Sequence, residues 1–442
     1  MIDYETIYSW VKGLPIVDWH NHLDMKTLVE DRPLGSLYEV WAKADPYKHR
    51  AMRICGEAER VVTGEASEDE KWAAWMRTLP KLVGNPLFAW AKMEMEWLGL
   101  FNAEAQSSRE GTWIRELKNV SLAEWTPSKM LKKFGVEYLS PCVGADCDLA
   151  TKNTKDTKIV PSLRMNAGDE ISVETLEKFH AAGCRVVDVS VDDVSDLTDA
   201  ARWGQRALPT VAAFAAAHGW TMLLHLGALR ETSARLRAAA GPAGGFAGMR
   251  APVDPAAVAA FLNALEEEHN STCSTCSTWL NNPVQNSLPR TILMSLNPEA
   301  HAALAVLSGS FVEEGVPGKV QLGPAWWWCD HEEGIRDVLE KSAAYGALST
   351  FVGMTTDSRS LLSFVRHDYF RRILSKWVAE KVASGAFPDD ESLLRPLLEN
   401  ICYKNAHDMI SHVEQVDHVE SLHVSTRSRL LSNPVNSVEN GK

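Results

Sequence analysis

The chain has 442 residues, 23% of them charged and 45% hydrophobic, with a formal net charge of −13. Such a composition excludes disordered and membrane-embedded classes, and the acidic balance excludes a nucleic-acid partner, whose phosphate backbone needs basic patches. No run of about 18 apolar residues marks a membrane span. Met1–Trp10 carries Asp3 and Glu5 without the apolar stretch of a signal peptide, so a cytoplasmic protein with no membrane partner is expected.

The first predicted element is a buried strand over Leu14–Trp19, where Ile16 and Val17 are β-branched and Pro15 bounds them. Alternation along a strand puts Asp18, His20 and His22 on one face if the strand runs on. Two imidazoles at a strand end can share a divalent metal, although His-x-His also occurs in plain surface turns. From about Lys26 to Lys133 the pattern turns helical and irregular, with Trp41, Trp72, Trp75, Trp90 and Trp97 and no convincing strand. Ser67-Glu68-Asp69-Glu70 reads as a capping box and Gly84-Asn85-Pro86 as a break. This is a helical insertion whose aromatics are mostly core.

Short apolar runs then recur with helical stretches between many of them: Val136–Leu139, Ile159–Leu163, Arg185–Val191, Thr221–Leu226, Thr291–Leu296, Lys319–Leu322 and Ser349–Met354. With Leu14–Trp19 they make eight strands, and helices are expected at Gln205–His218, Pro255–His269, Glu299–Leu307 and Glu333–Tyr345. The fold class is therefore α/β, a parallel (β/α)8 TIM-type barrel with a helical insertion after the first strand. A doubly wound open sheet is the alternative, but no glycine-rich phosphate loop follows the first strand. The boundaries are residues 1–26 for the first strand, 27–135 for the insertion, 136–412 for the remaining barrel with closing helices at His367–Ser384 and Glu391–Ser411, and 413–442 for a flexible tail. Gly241–Met249 and Thr272–Asn286 read as flexible loops. Cys273 and Cys276 form a CxxC with no second pair, so neither a zinc knuckle nor a redox site is expected. The glycosylation patterns at Asn119 and Asn270 carry no meaning without a secretory signal.

Catalytic groups of a barrel lie at the C-terminal ends of its strands. The eighth run ends Gly353-Met354-Thr355-Thr356-Asp357-Ser358-Arg359, so Asp357 faces the mouth of His20 and His22 and can ligate a metal or move a proton. Arg359 offers a planar fork for a substrate carboxylate or an enediolate oxygen; a plain Asp–Arg surface pair is the other reading. His225, ending the fifth run, is a third ligand, a positioning group or a satisfied core histidine. Arg164, Asp188 and Arg230 also stand at strand ends, and Trp326-Trp327-Trp328 either walls off a pocket or packs structurally. No lysine lies between Cys184 and His225 to be carbamylated and bridge two metals, so a single ion is expected.

Together, His20-Asn21-His22 and Asp357 resemble the amidohydrolase superfamily, and within it the chain is similar to uronate (glucuronate) isomerase. The likeness runs through Ile16–Leu23, Tyr47–Arg53, Thr63-Gly64, Pro80–Leu87, His225–Arg230, Gly323–Trp327 and Val352–Leu374. It implies a (β/α)8 barrel and one divalent metal ion, commonly zinc, held by His20, His22 and Asp357 with His225 nearby. The implied reaction interconverts an aldose and a ketose uronic acid by moving hydrogen between C1 and C2. Tyr47 and Asp357 are then the proton-transfer groups and Arg359 holds substrate oxygens, with Arg164, Arg230, Trp326 and Trp327 as further substrate contacts.

The chain departs from the family pattern where Pro46 replaces a histidine before the tyrosine. It departs again at Leu139-Ser140-Pro141-Cys142, which replaces an acidic turn, and at Arg164-Met165-Asn166 and Val187-Asp188-Val189. The metal end is kept and the substrate end altered. The expectation is thus a metal-dependent isomerase acting on a small-molecule uronate or related carboxylate. The alternative is a divergent lyase or hydrolase (a decarboxylase, or a C–C or lactone hydrolase) on another carboxylate, and a homo-oligomer is compatible with either.

Overall fold

The computed structural model describes residues 1–100, 117, 120–147, 149, 151–166, 168–194, 197, 208–242, 244–267 and 288–411. The CxxC, the loop Thr272–Asn286, Asn119, Asn270 and the tail from 413 lie outside the described residues.

Seven parallel strands follow one another in space as in sequence. They are β1 (Ile16–Asn21), β2 (Val136–Gly144), β3 (Ser162–Asn166), β4 (Val186–Val191), β5 (Thr221–Leu226), β6 (Arg290–Ser295) and β7 (Val320–Leu322). Such a curled sheet is buried on both faces and uses each differently. In β4, Val187, Val189 and Val191 join the large core beneath the outer helices, while Val186 joins an inner cluster with Leu223, Ile292 and Met294. Asp188 shares the inward face with Val186 and is fully buried, in a strand where every residue is buried.

The expected third strand, Ile159–Leu163, is divided. Lys158–Ile159 pairs with β2 and antiparallel with Lys152–Asn153, and β3 begins only at Ser162. Pro161 separates them because it has no N–H for a ladder. The expected eighth strand, Ser349–Met354, is also corrected: Leu348–Thr350 is a 3-10 turn and residues 351–360 form no ladder. The segment still closes the gap between β7 and β1, largely through side chains. Val352 N donates to Gln321 Oε1 at 2.9 Å, His20 N to Thr355 Oγ1 at 3.0 Å, and Asp357 N to His20 O at 3.2 Å. A regular pleat is denied by Gly353 (φ +76°), where a Cβ would overlap the Ile401 carbonyl, and by Asp357 (φ +48°).

Asp18 does not share the face of the two histidines, because the β1–β2 register shifts between Asp18 and Asn21. Its carboxylate instead ties the closing segment down. It accepts from Thr356 N at 2.7 Å, Thr356 Oγ1 at 2.8 Å, Thr355 Oγ1 at 3.0 Å and Asn21 Nδ2 at 3.0 Å, and meets His367 Nε2 at 3.2 Å.

Between β1 and β2 the described residues are largely helical, including Pro46–Ile54, Glu68–Thr78 and Pro86–Trp97. Ser67 and Glu70 form the expected capping box and Asn85 caps the helix that Pro86 opens. Trp41, Trp75 and Trp90 are buried in a second core that also takes in Leu361, Leu362 and Phe364, so the helical segment rests on the chain that follows Asp357. No helix among the described residues is long and apolar enough to cross a membrane.

Candidate active site

At the end of β1, His20 Nε2 and His22 Nε2 lie 3.2 Å and 3.1 Å from Asp357 Oδ1. Two backbone bonds interlock the segments that carry them: Asp357 N to His20 O, and His22 N to Ser358 O at 2.8 Å. The second carboxylate oxygen accepts from Trp326 Nε1 at 3.0 Å. Asp357 is a non-glycine residue in the left-handed region, an unfavourable conformation of the kind that surrounding structure enforces at functional sites. Burial raises its carboxyl pKa, but the hydrogen bonds from His20 and His22 outweigh burial and hold it well below the ordinary carboxylate range.

These donors fit a divalent ion. Tetrahedral ligands about 2.0–2.1 Å from zinc stand roughly 3.3 Å apart, and both histidine–aspartate separations are close to that. The three donor atoms lie within one cluster, which does not include His225.

His225 belongs to a neighbouring arrangement built on Asp188. Arg164 sits opposite Asp188 in the β3–β4 register and its Nη1 pairs with Asp188 Oδ2. His225 Nδ1 lies 2.7 Å from Asp188 Oδ1, leaving Nε2 buried and without a partner among the described residues. The His225 ring packs 4.7 Å from that of His20 and 4.5 Å from that of Trp326. Burial pushes its pKa down to about 4 despite the carboxylate, so it is a neutral group at the edge of the cluster. Cys142, on β2, touches both sides: its Sγ is 3.1 Å from His20 Nδ1 and 3.4 Å from Asp188 Oδ2.

A cavity of about 290 Å3 opens over these groups, lined also by Tyr47, Arg230, Arg359, Trp326 and Trp327. Tyr47 comes from the Pro46–Ile54 helix, whose start is fixed by Asp45 accepting from Tyr47 N at 2.9 Å. Its hydroxyl is buried with no partner among the described residues, and burial lifts its pKa well above 10. Arg230 is held by Asp192 at 2.9 Å and Ser190 at 2.8 Å. Arg359 is exposed and has no hydrogen-bond or ion-pair partner among the described residues. The three tryptophans take separate places. Trp326 holds Asp357, Trp327 lies 5.6 Å from the Arg230 guanidinium, and Trp328 packs 5.5 Å from the Tyr47 ring.

The expected flexible loop at Gly241–Met249 is docked where it is described. Arg50 Nη1 donates to Ala247 O at 3.2 Å, Arg53 donates to Gly244 O, and Gly248–Met249 pairs with Ala228–Leu229. At Gly245 (φ +82°) a Cβ would overlap the Pro46 carbonyl oxygen. A larger cavity, about 370 Å3, lies by Arg290, Gln321 and Asn405, but among the described residues no close cluster of metal-ligating groups borders it. Chemistry rather than volume selects the site.

Sequence reasoning missed Cys142, the Asp18 anchor, and a pair behind Tyr47. In that pair Arg366 Nη1 is 3.1 Å from Asp330 Oδ2 and the guanidinium packs 4.8 Å from the Tyr47 ring. Asp188 was legible as a carboxylate in the apolar run Val186–Val191, since a buried charge demands partners. Nothing local marks Cys142, and Asp330 was visible only as part of the run Trp326–His331 at a strand end, without its partner Arg366.

A curled parallel sheet, with His20 and His22 at the end of its first strand and Asp357 in the segment that closes it, defines an α/β barrel-type protein with its site at the strand ends. The family model described as "Glucuronate isomerase" matches residues 3–203 and 193–410. A uronate isomerase of Caldicellulosiruptor bescii is 33% identical, covering 90% of this chain and 94% of that protein. One of Bacillus subtilis is 30% identical over 90% of this chain and 93% of its own length. Among solved structures, a uronate isomerase of Thermotoga maritima superposes with a TM-score of 0.74 at 24% identity, covering 92% of this chain and 97% of that one. A glucuronate isomerase of Caulobacter crescentus gives 0.71 at 18%, covering 92% and 94%. The chain belongs to the glucuronate isomerase family and is an isomerase.

Proposed function

We propose that the chain interconverts the aldose and ketose forms of a uronic acid such as glucuronate or galacturonate. The observation that carries this reading is the composition of one cavity. His20, His22 and Asp357 line it together with three arginines and Tyr47, whose buried hydroxyl has no partner among the described residues. Arginine forks suit a sugar carboxylate, and no feature of the site favours a lyase or hydrolase.

In this reading His20, His22 and Asp357 hold one divalent ion, for which zinc suits an N2O donor set. The bound ion would polarise the carbonyl and hydroxyl oxygens at C1 and C2, lowering the cost of an enediolate. Arg164, Arg230 and Arg359 bind and orient the acid. Asp357, kept ionised, takes the proton from the carbon beside the carbonyl. Tyr47, kept protonated, donates to the carbonyl oxygen as the enediol forms; Asp357 then returns its proton to the former carbonyl carbon, and Tyr47 is reprotonated by the adjacent hydroxyl, which becomes the new carbonyl. Trp326 fixes the carboxylate of Asp357, and Trp327 and Trp328 help to exclude water.

Proton NMR of zinc-loaded protein with D-glucuronate or D-galacturonate tests the proposal. The corresponding ketose is expected from at least one. Failure of both to react would overturn it.

A further inference from the structure

Cys142 lies between two groups that would otherwise not communicate. On β2 it faces Ser162 across the β2–β3 register and adjoins the end of β1. Its sulfur contacts His20 Nδ1 at 3.1 Å, Asp188 Oδ2 at 3.4 Å and Ser162 Oγ at 3.3 Å. His20 and Asp188 are both completely buried, so these protons cannot be exchanged for bonds to bulk water.

The direction of each bond follows from counting hydrogens. Asp188 accepts from Arg164 and meets His225 Nδ1, and an ionised carboxylate has no hydrogen to give. The hydrogen between Cys142 and Asp188 therefore belongs to the thiol. The Ser162 hydroxyl stands 3.3 Å from both the sulfur and Ser140 O and gives its one hydrogen to one or the other. A thiol has one hydrogen, and once it is spent on Asp188 the sulfur can only accept from His20. Nδ1 of His20 must then carry hydrogen, which leaves the Nε2 lone pair for whatever lies between His20, His22 and Asp357.

We infer that Cys142 is a positioning residue for the metal: it accepts the Nδ1 hydrogen of His20, fixes that ring's tautomer and orientation, and so presets Nε2 as the ligand atom. Metal-bound histidines usually make this outer bond to a carboxylate, a carbonyl or water; here a thiol relays it from Asp188. The same sulfur, His20 Nδ1 and Asp188 lie close enough to form a three-donor cluster of their own. Against ligation by that set, Asp188 Oδ2 already holds the Arg164 guanidinium, and a cation placed there would face that charge directly.

The inference rests on the reading that His20, His22 and Asp357 hold the ion, and it is tested by binding rather than turnover. Zinc affinity is measured by chelator competition for wild type, Cys142→Ala and Cys142→Ser, alongside thermal melts of the metal-free proteins. Outer-shell partners are typically worth about ten- to a hundredfold in affinity. A loss of that size is expected in Cys142→Ala, whose metal-free form melts no more than a few degrees lower because one buried N–H loses its acceptor, with most of the affinity kept by Cys142→Ser, whose hydroxyl can still accept. In the wild-type cobalt(II) protein no sulfur-to-metal charge-transfer band is expected, and 15N NMR of the zinc form should show a protonated His20 Nδ1. Unchanged zinc affinity in Cys142→Ala overturns the inference alone, and a sulfur-to-cobalt band overturns it by making Cys142 itself a ligand. Wild-type protein that takes up no ion overturns the ligand reading as well.

Discussion

His20 and Asp357 are 337 residues apart in the chain, yet His20 Nε2 and Asp357 Oδ1 stand 3.2 Å apart. Asp357 N also reaches back to the His20 carbonyl. The strand that opens the barrel and the segment that closes it thus share both a backbone bond and a side-chain one. Removing His20 and His22 as a His20→Ala/His22→Ala double variant should abolish stoichiometric divalent metal, as read by elemental analysis of the purified protein. Full retention of metal would show that the ion sits elsewhere.

Tyr47 has a buried hydroxyl with no partner among the described residues and a pKa lifted by burial. As a proton donor at the reacting atoms it should be worth at least about a hundredfold in rate. Steady-state kinetics of Tyr47→Phe should show kcat reduced by that amount with KM little changed. The change removes only an unpaired oxygen, so the melting temperature should hold or rise.

The arginines should separate by their partners. Arg359 has none among the described residues and is exposed, so Arg359→Ala should fold normally while kcat/KM falls by about 10–100-fold, the worth of a charged hydrogen bond. Arg164 neutralises the buried Asp188 carboxylate. Arg164→Ala should therefore lower both kcat/KM and the melting temperature, because an uncompensated buried charge is left behind.

Asp330 gives a pH signature. Burial, chiefly, and the nearby Asp357 charge raise its pKa to about 7 against the pull of Arg366. The unfolded value is about 3.9, so the folded protein holds this proton more tightly. The stability it brings is complete below that unfolded value and is lost as pH climbs through about 7. Melting temperatures recorded between these limits should fall more steeply with rising pH in wild type than in Asp330→Asn, which keeps an acceptor for Arg366. Parallel curves would assign the slope to other groups.

Gly245 tests the docking of its loop. Its positive φ and the overlap a Cβ would make with the Pro46 carbonyl mean that Gly245→Ala must displace either the loop or the start of the Tyr47 helix. A melting temperature lowered by several degrees, from a strain of about 1–3 kcal/mol, should accompany a raised KM.

The rhythm of the barrel and several of the reactive residues gathered in its cavity are legible in the amino-acid sequence. Thr221–Leu226 could be read to the residue, because an apolar run between turn signals has one stable use in a sheet buried on both faces. That His20, His22, Asp357 and Arg359 meet at one cavity was readable because reactive side chains that follow apolar runs are local features of the chain. The tertiary structure alone decided what those side chains are bonded to. Whether Ser349–Met354 pairs as a strand depended on the Ile401 carbonyl beside Gly353, and whether Asp18 faces the site or the Thr355-Thr356 pair depended on a register shift against β2. His225 was drawn toward Asp188, and Cys142 came to lie against His20, by strand neighbours far away in sequence. Hydrogen bonds between buried groups are chosen by three-dimensional proximity over spans of tens to hundreds of residues, and no local pattern of hydrophobicity or spacing carries that choice.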